Sequence, residues 1–262
     1  METITRKSML YKTGVEYGDY TMNHVQGCQH GCLYPCYAFM MAKRFGKVKT
    51  QEEWRTPKLV SNTLELLDQE IPRLRGKISS VQLCFSTDPF MENYPEVGRM
   101  SIEAIRKLNT AGIQCTVLTK GILPIELSEL SAENEYGITL VSLDETFREQ
   151  YEPYAASLER RIAALRNLSA AGCRTWVSIE PYPTPNIVHQ ELQPILEAIG
   201  FANRIIFGRM HYNKIVSEYT DHKQFYNDCA AEVTDFCIQR RILFHIKNGT
   251  ITEAKDRVSR VD

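Results

Sequence analysis

The chain has 262 residues, of which 43% are hydrophobic and 24% are charged. These proportions are typical of a globular protein, and the length predicts one large α/β domain or two small ones with a sizeable core. The 31 Lys and Arg residues nearly balance the 32 Asp and Glu residues, for a formal charge of −1. Binding to nucleic acid or to an anionic membrane through net charge alone is therefore excluded, although a local basic groove is not.

The chain carries no sequence signal for a membrane or for secretion. No segment has the roughly 20 consecutive apolar residues that a membrane helix needs. The N-terminal sequence METITRKSMLYKTG lacks the apolar core of a signal peptide. We therefore expect a cytoplasmic protein that does not associate with membranes.

Apolar runs of strand length alternate with longer runs of helical period. Strands are predicted at 20–25, 79–85, 113–119, 136–142, 173–179 and 203–208, with a further short run at 242–246. Helices are predicted at 59–74, 97–111, 158–171 and 190–199, where apolar residues recur every three or four positions. This alternation indicates a parallel sheet covered by helices, either doubly wound or closed into a barrel.

Polar and cysteine-bearing segments follow the predicted strands. In chain order they read QGCQHGCLYPCYA, FSTDPF, TKG, SLD, EPYP and GRMHY. Functional residues of parallel β/α folds gather at the C-terminal ends of the strands, so these segments are expected to share one rim.

Three of the eight cysteines, Cys28, Cys32 and Cys36, stand close together with the spacing C-x3-C-x3-C. A disulfide framework is not expected, because nothing marks the chain as secreted and its core needs no covalent support. Structural zinc requires four ligands, so His24 or His30 would have to complete a Cys3His set. A four-iron cluster held by three cysteines would instead leave one iron open to a small molecule. The residues alone leave both sites open.

The segment NHVQGCQHGCLYPCYAFMMAKRFG resembles the cluster loop of radical S-adenosylmethionine (SAM) enzymes, especially the spore photoproduct lyase-like branch. The resemblance continues through STDPF, LTKG, the SLD segment with YEPYAASLERRIAALRNLSAAG, and EPYP, and covers roughly residues 20–185. It implies an α/β fold in which parallel strands form a partial (βα)6 TIM-type barrel. A single domain, 1–262, would contain the barrel core at 15–210 and a C-terminal extension at 211–262, whose helix and short strand close the barrel.

One feature departs from the family pattern. The usual spacing is C-x3-C-x2-C, and an aromatic residue just before the third cysteine lies along the adenine of SAM. Here Pro35 separates Tyr34 from Cys36, which fixes φ and removes a donor from the loop. Tyr34 and Tyr37 are therefore both candidates for the adenine contact.

The resemblance implies that Cys28, Cys32 and Cys36 bind a [4Fe–4S] cluster whose open iron takes the amino and carboxylate groups of SAM. Reductive cleavage would then release a 5′-deoxyadenosyl radical that abstracts hydrogen from a substrate. Further cofactor-binding residues are expected along the strand ends: Ser86, Thr87 and Asp88 at the methionine amino group, Lys120 and Arg161 at its carboxylate, Ser142 at the ribose, and Glu180 as an acceptor for cofactor or substrate.

Several of these residues also have a purely structural interpretation. The STDP sequence is equally typical of a turn or a helix cap. Arg160 stands beside Arg161, and either arginine could lie on a solvated helix face.

Cys84 is predicted to be catalytic. In a strand of period two it faces the same way as Ser86, so a Ser86 that faces the barrel interior brings Cys84 inward as well. Lyases of this branch use a thiol near this strand to return hydrogen to a product radical. A small core residue is the alternative for a buried cysteine.

The predicted substrate surface follows the sixth strand, where Arg209, His211 and Tyr212 combine cationic and aromatic groups. Such groups can stack on and hold a nucleotide or a nucleic acid strand. A peptide or protein side chain is the alternative substrate, and a non-enzymatic Cys3His zinc module is the alternative to an enzyme.

A basic run follows the cluster loop: Lys43, Arg44, Lys47 and Lys49. It either forms a solvated helix face or docks an acidic reductant such as flavodoxin or ferredoxin.

Overall fold

An eight-stranded sheet forms the centre of the chain, of which the computed structural model describes residues 1–252. The strands are β1 (Thr3–Ile4), β2 (Tyr11–Lys12), β3 (Tyr20–Met22), β4 (Val25–Gln26), β5 (Lys58–Val60), β6 (Ser80–Leu83), β7 (Gln114–Thr119), β8 (Glu135–Thr139), β9 (Arg174–Tyr182), β10 (Arg204–Arg209) and β11 (Leu243–Ile246). The order in the main sheet is β11-β10-β9-β8-β7-β6-β3-β2. All neighbours are parallel except the edge strand β2, which runs antiparallel to β3.

Helices connect the parallel strands and pack on the sheet. They are α1 (Tyr37–Arg44), α2 (Gln51–Trp54), α3 (Thr63–Leu74), α4 (Pro95–Thr110), α5 (Glu145–Tyr151), α6 (Leu158–Ala170), α7 (Gln193–Ile199), α8 (Lys214–Glu218) and α9 (His222–Arg240), with a 3-10 helix at Ile125–Glu129. Helix α4 packs on β7, α6 on β8 and β9, and α9 on β10 and β11. This is the partial parallel barrel of β/α units that the sequence predicts.

The central strands are apolar along almost their whole length because both faces of the sheet are covered. In β10, for example, the four residues from Ile205 to Gly208 are all buried. The helices present one apolar stripe each: in α4 the buried residues recur at helical spacing from Val97 to Leu108. Gly112 and Gly172 adopt positive φ angles just after α4 and α6, where they end each helix and turn the chain into the next strand.

Several predicted boundaries are wrong by three or four residues, and tertiary pairing is the reason for two of them. The first predicted strand, 20–25, ends at Met22, because residues from Val25 onward leave the main sheet and pair with β5. The predicted helix 59–74 begins only at Thr63, since 58–60 is the strand β5. Strand β5 joins β1 and β4 in a small second sheet that covers the start of the cluster loop.

The two edges of the main sheet are bridged by side chains. The turn between β2 and β3 carries Glu16, whose carboxylate lies 2.7 Å from His245 Nε2 on β11 and accepts from the backbone N–H of Asn248. Tyr17, beside it, packs edge-on against Trp176 and His245. The C-terminal segment thus contacts the N-terminal edge of the barrel. The last ten residues of the predicted extension 211–262 lie outside the described residues.

No helix in the described range 1–252 is both long and apolar enough to span a membrane.

Gly137 in β8 predicts a measurable stability effect. A Cβ at this position would lie 2.5 Å from the Trp176 indole, which occupies the neighbouring position on β9. Gly137→Ala should therefore lower the free energy of unfolding by about 1–3 kcal/mol, because the core must shift to relieve the overlap.

The matched control is Gly14→Ala, since a Cβ at Gly14 meets no atom within 4 Å. Chemical denaturation should place this variant within about 0.5 kcal/mol of the parent chain. Equal unfolding free energies for Gly137→Ala and the parent would contradict the packing argument.

Candidate functional site

The cluster loop runs from the end of β4 to the start of α1. Its glycines shape it: Gly27 and Gly31 have φ angles of +91° and +64°, and a Cβ at Gly27 would lie 2.6 Å from the Trp54 carbonyl oxygen. The same carbonyl accepts a hydrogen bond from the Cys28 N–H at 2.9 Å. Cys36 immediately precedes α1, and its carbonyl accepts from Met40 N. The loop is therefore held at both ends by backbone contacts.

Cys28, Cys32 and Cys36 line one cavity at the C-terminal ends of the strands, as predicted. Side chains from the β2–β3 turn, from β6, β7 and β9 and from the loops after them complete its wall, among them Tyr17, Gln82, Cys84, Ser86, Thr87, Asp88, Thr119, Lys120 and Trp176. The fold thus brings together residues that lie more than 140 positions apart.

Two of the loop thiols, Cys28 and Cys32, favour the protonated form when they are free. Burial raises the pKa of Cys28 well above its usual value and that of Cys32 to about 11, even though the Lys120 ammonium opposes the second shift. Any metal that binds these sulfurs must displace protons, so its affinity should rise with pH.

The buried carboxylate of Asp88 bridges the cluster loop and the end of β7. Its Oδ1 accepts from the Thr119 hydroxyl at 2.6 Å and from Phe90 N at 2.8 Å. Its Oδ2 accepts from Lys120 N at 2.8 Å and lies 2.8 Å from His30 Nε2. Burial alone would raise the pKa of Asp88, but His30 and these donors lower it. Both carboxylate oxygens thus already have protein donors. The expected contact to the amino group of SAM stays a prediction.

Ser86 and Thr87 differ in how their hydroxyls are used. Ser86 donates to Asn23 Oδ1 from both its backbone N and its Oγ, each at 3.0 Å. Thr87 Oγ1 is buried and has no hydrogen-bond partner within residues 1–252. Buried polar atoms are normally paired, so Thr87 presents an available donor and acceptor at the cavity wall.

A buried ion network lies beside the thiols and centres on Glu152. The Lys120 ammonium lies 3.0 Å from Glu152 Oε1 and 3.6 Å from Cys32 Sγ, and Arg161 lies 2.8 Å from Glu152 Oε2. The Tyr34 hydroxyl contacts both Glu152 and Lys120. Burial alone would raise the pKa of Glu152, but the two cations lower it to about 2, so the carboxylate is ionised.

The structure distinguishes the two adjacent arginines. Arg161 is 1% exposed and donates to Ala156 O at 2.8 Å and to Thr139 O at 3.1 Å. Arg160 lies on the surface, 2.6 Å from Glu92 Oε1. Arg161 is therefore the interior residue, although its donors are engaged by protein groups.

Neither candidate aromatic residue is among the side chains that line the cavity. Tyr34 is 4% exposed and turns beneath the loop toward Glu152. Tyr37, the first residue of α1, is 61% exposed. The adenine contact stays a prediction for both.

Ser142 and Glu180 also lie outside the cavity wall. Ser142 is fully buried, and its Oγ accepts from Asp144 N at 3.0 Å ahead of α5. Glu180 is paired with Lys247, whose ammonium is 2.8 Å from Oε2. The structure gives both side chains protein partners, and their ribose and acceptor roles stay predictions.

Cys84 does line the cavity, but not for the predicted reason. Strand β6 ends at Leu83, and Cys84 adopts a φ of +52°, so strand alternation does not apply to it. Its Sγ lies 3.5 Å from His24 Nδ1, and His24 Nε2 lies 2.9 Å from Ser101 Oγ. Burial lowers the pKa of His24 to about 4, so this histidine is neutral.

The geometry does not assemble a Cys3His zinc site. His24 contacts Cys84 and Ser101, while His30 contacts Asp88 and the Tyr154 carbonyl oxygen, at 3.4 Å from Nδ1. Both nitrogens of each ring therefore already have protein neighbours. In the part of the chain that the structure describes, no three His, Cys, Asp or Glu side chains meet at a position for one ion.

Three residues at the site were not predicted from the sequence: Glu152, Asn23 and Tyr17. Glu152 belongs to the quoted YEPYA segment, but no local pattern marks it as buried. Arg161 did carry a usable signal, because it falls in the buried stripe of α6 with Leu158, Leu165 and Leu168. An arginine in an apolar stripe indicates a buried ion pair.

Comparison with solved structures finds the same fold in spore photoproduct lyase complexed with dinucleoside spore photoproduct. The TM-score is 0.66 at 13% identity, over 93% of this chain and 80% of that one. SuiB of Streptococcus suis bound to S-adenosylmethionine gives 0.51 at 16% identity, over 70% of this chain and 43% of that one.

Two uncharacterized proteins are related in sequence. ORF301 of Acidianus two-tailed virus is 26% identical over 195 residues, which make up 71% of this chain and 64% of that protein. MJ0683 of Methanocaldococcus jannaschii is 24% identical over 191 residues, 72% of this chain and 69% of that protein. The chain thus matches about two thirds of the length of each.

The family model of the radical SAM superfamily matches residues 22–199, which include the cluster loop and the strands from β6 to β9. Because this match covers more than half of the chain, the protein belongs to the radical SAM superfamily of enzymes.

Proposed function

We propose that the chain binds a [4Fe–4S] cluster through Cys28, Cys32 and Cys36 and uses it to cleave S-adenosylmethionine reductively. The observation that carries this proposal is that the three thiols line one cavity at the C-terminal rim of the barrel. When bound, the cluster and SAM would supply a 5′-deoxyadenosyl radical for hydrogen abstraction from a substrate.

The donor set fits such a cluster. Each cysteine of a [4Fe–4S] site binds a different iron, so the thiols must surround a space rather than meet at one point. Three cysteines would leave one iron for the amino acid group of SAM. Lys120 Nζ, close to Cys32, is placed to receive the carboxylate, and the unpaired Thr87 hydroxyl can accept from the ammonium group.

The remaining predicted cofactor residues act as supports in this proposal. Asp88 and Arg161 are engaged by protein donors and acceptors, so we assign them to holding the loop, β7 and Glu152 in place.

The triple variant Cys28→Ala, Cys32→Ala, Cys36→Ala should lose both the cluster and SAM cleavage. After anaerobic reconstitution, iron and sulfide per chain should fall from about four each to background. Release of 5′-deoxyadenosine after dithionite reduction should disappear with them.

Cys173→Ala serves as the control, because it removes a partly exposed thiol that is not among the residues lining the cavity. It should keep its iron and its cleavage activity. A triple variant that still releases 5′-deoxyadenosine would overturn the proposal.

We also propose that an acidic electron donor of the flavodoxin or ferredoxin class docks beside the cluster loop. The basic side chains Lys43, Arg44, Lys47 and Lys49 are all exposed on or just after α1. Among them stand exposed apolar side chains, including Tyr37 and Phe45, which is 67% exposed. A positive rim around an apolar centre is the complement of an acidic partner surface.

The double variant Lys43→Glu, Lys47→Glu should slow reduction by flavodoxin about 10-fold at low salt, because attraction becomes repulsion. Reduction by dithionite should stay unchanged. The matched control is Arg75→Glu, Lys77→Glu, since these residues precede β6 and lie at the opposite end of the barrel. Stopped-flow traces in which both double variants behave alike would contradict this docking surface.

For the substrate we propose a nucleic acid or nucleotide. Arg209, His211 and Tyr212 line a cleft after β10, and Tyr212 is 74% exposed. Burial lowers the pKa of His211, and the cations Arg209 and Lys247 lower it further, which marks this cleft as electropositive. The likeness in fold to a lyase in complex with a dinucleoside is consistent with such a ligand.

In this scheme Cys84, which lies in the cavity wall, donates the hydrogen atom of its S–H bond to the product radical and is left as a thiyl radical.

The double variant Arg209→Gln, His211→Gln should weaken binding of a single-stranded oligonucleotide about 10-fold in fluorescence anisotropy, through loss of the charge-assisted contacts of Arg209 to phosphate and of the ring hydrogen bonds of His211. The control Arg73→Gln, on α3, should bind like the parent. The oligonucleotide should also accelerate 5′-deoxyadenosine release, and Cys84→Ala should alter the product without reducing that release. Acceleration by peptides alone would replace the nucleic acid proposal with the peptide alternative.

A further inference from the structure

The carboxylate of Glu152 connects three separate parts of the chain. Its two oxygens face Lys120 from the loop after β7 and Arg161 from α6, and one of them also meets Tyr34 from the cluster loop. Glu152 is 1% exposed. Breaking a buried ion pair by removing one partner leaves an uncompensated charge, so this carboxylate constrains all three partners.

Arg161 is the fixed end of the network. Two backbone carbonyl oxygens, from Ala156 and Thr139, hold its guanidinium independently of Glu152. The Nη2 atom of the guanidinium, which is fixed in this way, lies 2.8 Å from Glu152 Oε2 and forms an ion pair with it. The Glu152 carboxylate is therefore held by the Arg161 guanidinium, which is itself fixed to the backbone of the barrel.

The side chain of Lys120 is the more flexible partner of Glu152 in this network. A lysine side chain has a flexible four-carbon stem that carries a compact ammonium charge, so the position of its Nζ atom depends on the surrounding groups. Here the ammonium is held between Glu152 Oε1 at 3.0 Å and the Tyr34 ring, whose centroid lies 4.6 Å away. These two contacts keep Nζ beside Cys32.

Tyr34 of the cluster loop completes the network around Glu152. Pro35 stands between Tyr34 and Cys36, and Tyr34 points beneath the loop into the network rather than lining the cavity. In this chain the aromatic residue of the loop therefore supports Lys120 from below.

We propose that Glu152 is a positioning residue for SAM: anchored by Arg161, it holds the Lys120 ammonium and the Tyr34 hydroxyl so that Lys120 can receive the methionine carboxylate. The inference rests on the proposed function, since it requires that Lys120 meets this carboxylate. It assigns Arg161 to positioning Glu152 rather than to direct contact with SAM.

The test compares SAM affinity of Glu152→Gln with that of the parent, both reconstituted and left unreduced so that no cleavage occurs. Calorimetric titration should show Kd about 10- to 100-fold higher in the variant, the range typical of groups that orient a ligand-binding residue. Iron content should stay at the parent value. Glu159→Gln, an exposed residue on the same helix as Arg161, changes charge equally and should bind SAM like the parent.

A double-mutant cycle with Lys120→Met separates positioning from a general structural role. If Glu152 acts through Lys120, adding Glu152→Gln to Lys120→Met should change Kd less than about twofold. Additive losses, or an unchanged Kd in the single Glu152→Gln variant, would overturn the inference.

If the Glu152→Gln variant does not fold, the same measurement of SAM affinity can be made on Glu152→Asp. It retains the charge but withdraws the carboxylate from Lys120, so Kd should rise while thermal unfolding of the apo chain stays cooperative. A parent-like Kd in this variant would refute positioning. A parent chain that takes up no iron, or that binds no SAM when loaded, would instead refute the proposed function itself.

Discussion

The buried carboxylate of Asp88 ties together the parts of the chain that form the cavity. It follows β6, accepts from Thr119 and Lys120 at the end of β7, and lies against His30 of the cluster loop. Neighbouring parallel strands end side by side, but nothing in the sheet itself fixes a long loop above them. Asp88 supplies that link, because each of its oxygens has two donors and cannot turn away without leaving them unpaired.

The charges behind the cavity shift the pKa of the loop thiols in opposite directions. Burial raises the pKa of Cys28 and Cys32, so the protein interior by itself disfavours their ionised forms. Lys120, beside Cys32, opposes this effect, and Glu152 in turn retains the lysine as a charged ammonium. The same carboxylate raises the pKa of Cys32 directly, so its contribution to the site is to retain the lysine for the proposed SAM contact rather than to ionise the thiol.

The β/α alternation could be predicted because it depends on local periods of apolar residues and on glycines after helices, such as Gly112 and Gly172. The grouping of strand-end segments followed from parallel topology. The direction of Tyr34 could not be predicted, because in an irregular loop it depends on contacts with Glu152 and Lys120 from other parts of the chain. Glu152 could not be found either: its burial depends on Lys120 and Arg161, which reach it from distant elements. Arg161 alone could have been assigned to the interior from its place in the stripe of α6.

The polar groups of the cavity fall into two classes. Asp88 and Ser86 are hydrogen-bonded to the protein, and Glu152 is ion-paired beside the cavity, which makes all three part of the frame. Thr87 Oγ1 and Trp176 Nε1 are buried at the wall and have no partner among residues 1–252. A folded chain rarely leaves such groups unpaired, and both occur here where cofactor and substrate would meet. Gly137 has no Cβ, and the Trp176 ring occupies the space on the sheet that a Cβ would need, so this position of β8 requires glycine. The frame is therefore held by contacts within the protein, and in the proposed function Thr87 Oγ1 and Trp176 Nε1 are the buried lining atoms left for a ligand.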